Sequence, residues 1–498
     1  MSGSPLPPLS RRIGRSFLLL LVGRALTVAG TLAFLAIVTR HLGPADYGAF
    51  RTAQAWLGFV YLLANLGLPP VLLRELGIAR SDRAQLLAAA IGLRLASALG
   101  FFVPGAVLAL LLPFDAAVEQ AILVATAGSL ALSVFDTLIA VFRAELRQEG
   151  QLRAELASSL FLPLAALAVL AFDGRVVAFA TVLALSQILQ LVVAWREVQR
   201  LVPVRIALDV ARWRALMTAA LPLAVANVLH LAYYRTDTLL LSLLRPLEDV
   251  GHYGLASRLL DTAVGISILF VSLLSPLLAG GRDDPDRFRA ILGHGIDAVL
   301  VGGGGVVLVL AVFGADLAAS IGGPSFAAAG GPLAVLAFTF WFASLTLLLR
   351  HAVTGIDRQK ELLPGYLAGV LLALTLHLLL IPPFGGIGAA LGTVAGEGCL
   401  LLWTGRVLTR QGLMPRRSRT AATVLFALTM AAAVGAGAET LVPWPLALLG
   451  SGLVYLALLL VGGAIDRDLL ALLLPVAGRQ PPPDGSDTAT ERSSRRRW

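Results

Sequence analysis

Fourteen apolar stretches of membrane-spanning length follow one another along the chain, at roughly 17–39, 52–70, 86–112, 117–142, 156–172, 176–195, 215–243, 255–279, 291–313, 331–349, 362–381, 385–403, 420–438 and 442–464. In hydrocarbon a backbone must satisfy its own N–H and C=O groups, so stretches of this length predict helices. The polar connectors between them are short and leave no sizeable extramembrane domain on either face. Basic residues fall on alternate connectors. With the N-terminus inside, 31 of the 39 Lys and Arg lie on the inner side, four on the outer side (Arg40, Arg51, Arg175 and Arg245) and four within spans. A water-soluble fold has no reason to sort charge this way, whereas the positive-inside rule demands it. The pattern predicts an all-α polytopic membrane protein of about 14 transmembrane helices with both termini cytoplasmic.

Composition narrows the function classes. With 498 residues, 57% hydrophobic and 14% charged, the chain has too few charges to cover its apolar surface in water. A net charge of +9 would suggest nucleic acid in a soluble protein. Here the basic residues sit at inner span ends and in the tails, where anionic lipid is the expected neighbour, and no nucleic-acid partner is expected. The single Cys399 permits neither an intramolecular disulfide nor a cysteine metal cluster, and no metal or cofactor is expected. Arg11, Arg12 and Arg15 before the first apolar run resemble an export signal. The run from Phe17 to Thr39 is too long for a signal core, however, and reads as a retained first span. The tail from Gln480 to Trp498 is Pro- and Ser-rich, ends in Arg495, Arg496 and Arg497, and predicts disorder.

A weak internal repeat organises the spans. Tyr47-Gly48 after the first span matches Tyr253-Gly254 after the seventh, each following an acidic, Pro-containing turn. Phe142-Arg143 leading to Arg147-Gln148 resembles Leu349-Arg350 leading to Arg358-Gln359. Tandem halves of this kind mark secondary transporters. The expected organisation is a cytoplasmic tail (1–16), a six-helix lobe (17–205), a second six-helix lobe (206–412), an appended helix pair (413–466) and a cytoplasmic tail (467–498). A pseudo-two-fold axis along the membrane normal would relate the two lobes.

Charged side chains in mid-span cost roughly 2.5–3.5 kcal/mol each on insertion scales, so they normally face a cavity or a partner. In the first span Arg24, Thr27 and Thr31 share a helical face; in the second, Gln54, Gly58, Tyr61 and Asn65 do the same. The seventh carries Asn227, His230, Tyr234 and Asp237 with Arg235 beside them, and the eighth adds Arg258 and Asp261. Arg94 lies in the third span and Asp136 in the fourth. Spans one, two, seven and eight are equivalent pairs in the repeat, so their polar faces are expected to converge on a hydrated, partly cationic cleft. Arg24, Arg94, Arg235, Arg258, Asn65 and Tyr234 are the expected substrate-binding residues; Asp237, Asp261 and Asp136 are expected to pair with charges or take part in ion coupling. Arg24 and Arg94 have no acid on their own helix, which favours a ligand-facing role. Asp284-Pro285 reads as a helix cap, not as part of a metal site.

The segment Thr39-Arg-His-Leu-Gly-Pro-Ala-Asp-Tyr-Gly-Ala-Phe50, with Asn65-Leu-Gly-Leu and Arg74-Glu75, resembles the opening of bacterial oligosaccharide flippases of the O-antigen type. These polysaccharide biosynthesis proteins belong to the multidrug/oligosaccharidyl-lipid/polysaccharide exporter superfamily. The blocks Tyr234-Arg-Thr-Asp237, Gly322-Gly-Pro-Ser-Phe-Ala327, Gly355-Ile-Asp-Arg-Gln359 and Ile381-Pro-Pro-Phe-Gly-Gly-Ile-Gly-Ala-Ala390 agree in order and spacing. The resemblance implies an inner-membrane flippase that carries undecaprenyl-pyrophosphate-linked oligosaccharide to the outer leaflet by alternating access, for lipopolysaccharide or exopolysaccharide synthesis. It also implies a polysaccharide polymerase and a chain-length regulator as partners. The competing readings are a drug/cation antiporter of the same superfamily, which would favour an acid-dominated cavity, and a membrane glycan polymerase or ligase, for which the outer loops offer no catalytic constellation. The expectation is therefore a transporter and not an enzyme.

Overall fold

The computed structural model describes the backbone of residues 9–78, 82–145, 147–280, 284–415 and 420–465; side chains are described from residue 22 onward, except those of 222–235, 276 and 279. Among the described residues there is no strand. The helices are α1 (Leu9–Asn65), α2 (Leu68–Ile78), α3 (Arg83–Ala109), α4 (Ala116–Ala144), α5 (Gln148–Ala171), α6 (Val176–Gln199), α7 (Val210–Leu244), α8 (Leu247–Gly280), α9 (Pro285–Val312), α10 (Gly314–Gly322), α11 (Gly330–Gly355), α12 (Leu363–Arg410), α13 (Thr420–Ala438) and α14 (Trp444–Val461). Eleven of these stretches are long and apolar enough to cross a membrane. Two of the eleven, within α1 and α12, each hold two helical arms, so the number of crossings is roughly that expected.

Local sequence explains where the arms divide. α1 breaks at Gly43, whose φ of 69° lies where side-chain-bearing residues are strained, and Pro44 then starts the second arm with its φ already set. α12 breaks at Gly385, whose φ is 54°, just after Pro382 and Pro383. The second crossing therefore runs over 44–65, not 52–70, because nothing after Pro44 interrupts the helix. Tyr47-Gly48 and Tyr253-Gly254, expected in turns, lie instead inside α1 and α8. Arg51, expected in an outer connector, is also helical and only 6% exposed. A second break at Leu66 and Gly67 separates α2, most of which the hydropathy pattern places in the connector after the second span. α2 buries Leu68, Val71, Leu72 and Leu76 against α4 and α7. Asp284 caps α9 as its sequence predicts, accepting from the N–H groups of Asp286 and Arg287 at 3.1 Å each.

Two lobes result. In the first, α1 packs on α3, α4 and α5, and α6 packs on α4 and α5; in the second, α11 packs on α8, α9 and α12, and α12 packs on α7. The α13–α14 pair lies against α9. The seam between lobes is α1 along α7 and α8.

Each end of the seam has its own fastening. At the end bearing Tyr47, a Cβ on Gly48 would collide with the carbonyl oxygen of Leu247, and one on Gly251 with that of Pro44, so the two backbones touch without room for side chains. The Arg40 guanidinium donates to the carbonyls of Ser320 (2.5 Å) and Ile321 (3.0 Å) in α10, and Phe326 packs edge-on against Tyr47. At the opposite, arginine-rich end the interlobe linker is pinned to α3: Ala207 N donates to Ala88 O (3.1 Å) and Trp213 Nε1 to Ala89 O (2.9 Å). Arg212 bonds Asp82 at 2.5 Å, and that carboxylate holds the guanidinium charged even more firmly than usual.

Candidate substrate cavity

A cavity of about 550 Å3 lies between α1, α4, α5 and α6 and reaches across the seam to Arg258 of α8. Its polar wall is built from one face of the second α1 arm. Arg51, Gln54, Gly58 and Tyr61 recur at helical spacing and all line it. Ser129 and Asp136 of α4 and Gln187 of α6 face them, and Tyr47, buried beneath Phe326, closes the cavity toward the fastened end.

Two guanidinium groups, one from each lobe, line this space. Arg51 Nη1 donates to Gln54 Oε1 at 2.9 Å, and Nη2 reaches the Ser257 hydroxyl of the second lobe at 3.4 Å. Its stem lies on Gly254, where a Cβ would collide with it. The Arg51 Nε–H is buried and finds no acceptor among the described residues. A buried donor without a partner costs free energy. Arg258 lines the same cavity from the opposite wall.

Behind the wall sits a second arginine network. Arg94 is 1% exposed and donates through Nε to Ser133 O (3.0 Å), through Nη1 to Ala64 O (2.9 Å) and Asn65 Oδ1 (3.3 Å), and through Nη2 to the Tyr61 hydroxyl (3.1 Å). Its guanidinium also stacks over the Tyr61 ring at 5.3 Å. The Tyr61 hydroxyl in turn donates to Asp136. Arg94 therefore braces Tyr61 and Asp136 from outside the cavity and does not line it. Arg94→Ala removes four hydrogen bonds made by a buried charged donor, each worth roughly 1.5–3 kcal/mol. The expected outcome is a lowered thermal unfolding midpoint in detergent and a reduced membrane level, with Lys rescuing only in part because it lacks the planar fork. An unchanged midpoint together with lost export would instead place Arg94 on the ligand.

The other expected site residues are distributed as follows. Arg24 is exposed and paired with Glu155 of α5 at 2.5 Å, an acid supplied by another helix. Gln151 holds the second oxygen of that carboxylate at 2.8 Å. Asn65 ends α1 and serves Arg94. Asp237 is buried in the second lobe, where the hydroxyl of Tyr253 and the N–H of Thr238 both donate to it at 2.5 Å and Thr393 approaches at 3.5 Å. It does not reach the cavity. Asp261 is exposed one turn beyond Arg258. Asn227, His230, Tyr234 and Arg235 have side chains outside the described residues. Arg51, Tyr47 and Gln187 were missed as site residues. Arg51 was nonetheless legible as the position one turn before Gln54 on the polar face already recognised.

The family described as polysaccharide biosynthesis protein matches residues 13–280. The chain belongs to that family. No curated protein matches it. Among solved structures it is similar to the lipid II flippase MurJ in an inward closed conformation, with a TM-score of 0.75 and 12% identity over 90% of this chain and 100% of that one. It is similar also to an inward-facing multidrug resistance MATE family transporter of the MOP superfamily (TM-score 0.63, 14% identity, 78% of this chain and 95% of that one). A third is a MOP superfamily transporter from Pyrococcus furiosus, described as having a binding pocket of reversed polarity (TM-score 0.57, 14% identity, 78% and 94%). At these identities the likeness establishes the fold alone, a two-lobed fold shared by a lipid II flippase and multidrug resistance transporters.

Proposed function

We propose that this protein is a flippase of the bacterial inner membrane that carries undecaprenyl-pyrophosphate-linked oligosaccharide from the inner to the outer leaflet for surface polysaccharide biosynthesis. Membership of a polysaccharide biosynthesis family and a fold shared with a lipid II flippase support a lipid-linked substrate. The observation that carries the reading is the pair Arg51 and Arg258, contributed by different lobes to one cavity. Guanidinium offers paired donors, remains charged at any relevant pH and matches phosphate geometry. An antiporter for organic cations would be better served by a free carboxylate. The carboxylate in this cavity, Asp136, is engaged by Tyr61.

Movement needs no covalent chemistry. Because the two arginines stand on different lobes, separation of the lobes at one end and closure at the other would present the pyrophosphate first to one leaflet and then to the other. The positive-inside count supports cytoplasmic termini, which makes the Tyr47 end the outer one and the structure closed toward the outside. A volume of about 550 Å3 admits a pyrophosphate with its first sugars, and the lipid tail stays in the bilayer. Thermal stabilisation tests the recognition step. Undecaprenyl pyrophosphate should raise the unfolding midpoint of the purified protein by a few degrees, and undecaprenol should not. Equal shifts from both lipids would show that the tail, and not the pyrophosphate, is recognised.

A further inference from the structure

A second recess lies on the outer flank of the second lobe and shares no lining residue with the Arg51–Arg258 cavity. It is a groove of about 1000 Å3 between α11 and the two arms of α12. Phe342, Leu372, Val394 and Leu402 form its apolar walls, and Leu402 is 76% exposed. An exposed leucine in a membrane span faces lipid. The groove stays wide because position 398 is glycine. A Cβ there would meet Phe342 only at an ordinary 3.5 Å, so packing does not require the glycine, and what it preserves is space.

Toward the arginine-rich end the groove passes Trp403 and finishes at Arg406 and Arg410. These two cations sit at i and i+4 on one helix face, where like charges repel. The C-terminal end of α12 offsets that repulsion in part through its dipole. Arg83, Arg153, Arg212, Arg289 and Arg358 at the same end each bond a carboxylate of the chain. Neither Arg406 nor Arg410 forms an ion pair with any described residue, and both are exposed. Trp403 is fixed by its Nε1–H bond to Glu361 O (2.9 Å), which places an aromatic ring at the level where headgroup meets chain.

We infer that this groove is a binding site for an anionic glycerophospholipid of the leaflet at the arginine-rich end. Its acyl chains lie between Phe342 and Leu402, and its phosphodiester lies between Arg406 and Arg410. Basic pockets between spans on the cytoplasmic side are where anionic headgroups are held, each cation contributing about 1 kcal/mol. The occupant is a constituent of the bilayer and distinct from the transported lipid. It ties the two arms of α12 to α11 and so stiffens the second lobe.

Native mass spectrometry of the full-length protein, delipidated in detergent and titrated with single lipids, tests this. Phosphatidylglycerol should bind more tightly than phosphatidylethanolamine. Arg406→Gln with Arg410→Gln should weaken phosphatidylglycerol binding by about 30-fold and leave phosphatidylethanolamine unchanged. Gly398→Leu, which fills the groove and keeps both arginines, should weaken phosphatidylglycerol several-fold. Unaltered phosphatidylglycerol binding in both variants would overturn the inference. So would displacement of phosphatidylglycerol by an equal concentration of undecaprenyl phosphate, which would assign the groove to the carrier lipid.

Discussion

Arg51→Ala and Arg258→Ala should each cut glycan export at least about tenfold in cells lacking the native protein, with the variant proteins present in the membrane at normal levels. A hydrogen bond to a charged group contributes about 1.5–3 kcal/mol net, which corresponds to roughly 10- to 150-fold. Arg51 has an additional reason to matter. Its Nε–H has no acceptor among the described residues, and its Nη2 already spans the seam to Ser257. Arg51→Lys keeps the charge and loses the fork, so it should recover part of the export and no more. Because Arg51 is buried, the Lys variant also separates a ligand role from a folding defect. Normal membrane levels of both variants, with export lost in Ala and only partly restored in Lys, identify the ligand role. Full export by both Ala variants would remove the cationic pair from the mechanism.

Locking the fastened end should stop transport altogether. Ala45 and Glu248 are exposed on the two segments whose backbones touch through Gly48 and Gly251. With Cys399 replaced by Ser, cysteines at 45 and 248 should form a disulfide that abolishes export, and a reductant should restore it. The effect is expected to be complete because alternating access requires these segments to part once in every cycle. A quantitative crosslink with export at the reduced rate would mean that the lobes need not separate there.

Much of the fold was legible because a single force dominates it. Lipid solvates only apolar side chains, so span number, the two lobes and the appended pair follow from hydropathy and one weak repeat. The limits of the reading lie at helix breaks. Gly43 and Gly385 divide helices sharply, and the sharpness of the first break moved Arg51 from an assumed connector into the cavity wall. The role of Arg94 was not legible for a related reason. Two of its acceptors are backbone carbonyls, and one of them, Ala64 O, is available because α1 ends at the next residue and leaves its last carbonyls without helical partners. Absence of an acid on the same helix therefore says little about an arginine. Arg24 makes the point again, since its acid, Glu155, arrives from α5. Asp237 and Asp136 were read as one polar cleft, yet the fold sends the first into the core of the second lobe and the second into the cavity.

The most direct measurement is translocation itself. Purified protein in liposomes carrying a fluorescent undecaprenyl-pyrophosphate-linked oligosaccharide should expose the inner-leaflet pool to a membrane-impermeant quencher at least about tenfold faster than protein-free liposomes, a difference of about 1.4 kcal/mol in the barrier to crossing. Liposomes with the Arg51→Ala, Arg258→Ala double variant should behave as protein-free ones. Equal rates with and without the wild-type protein, or wild-type rates from the double variant, would contradict a flippase that works through this cavity.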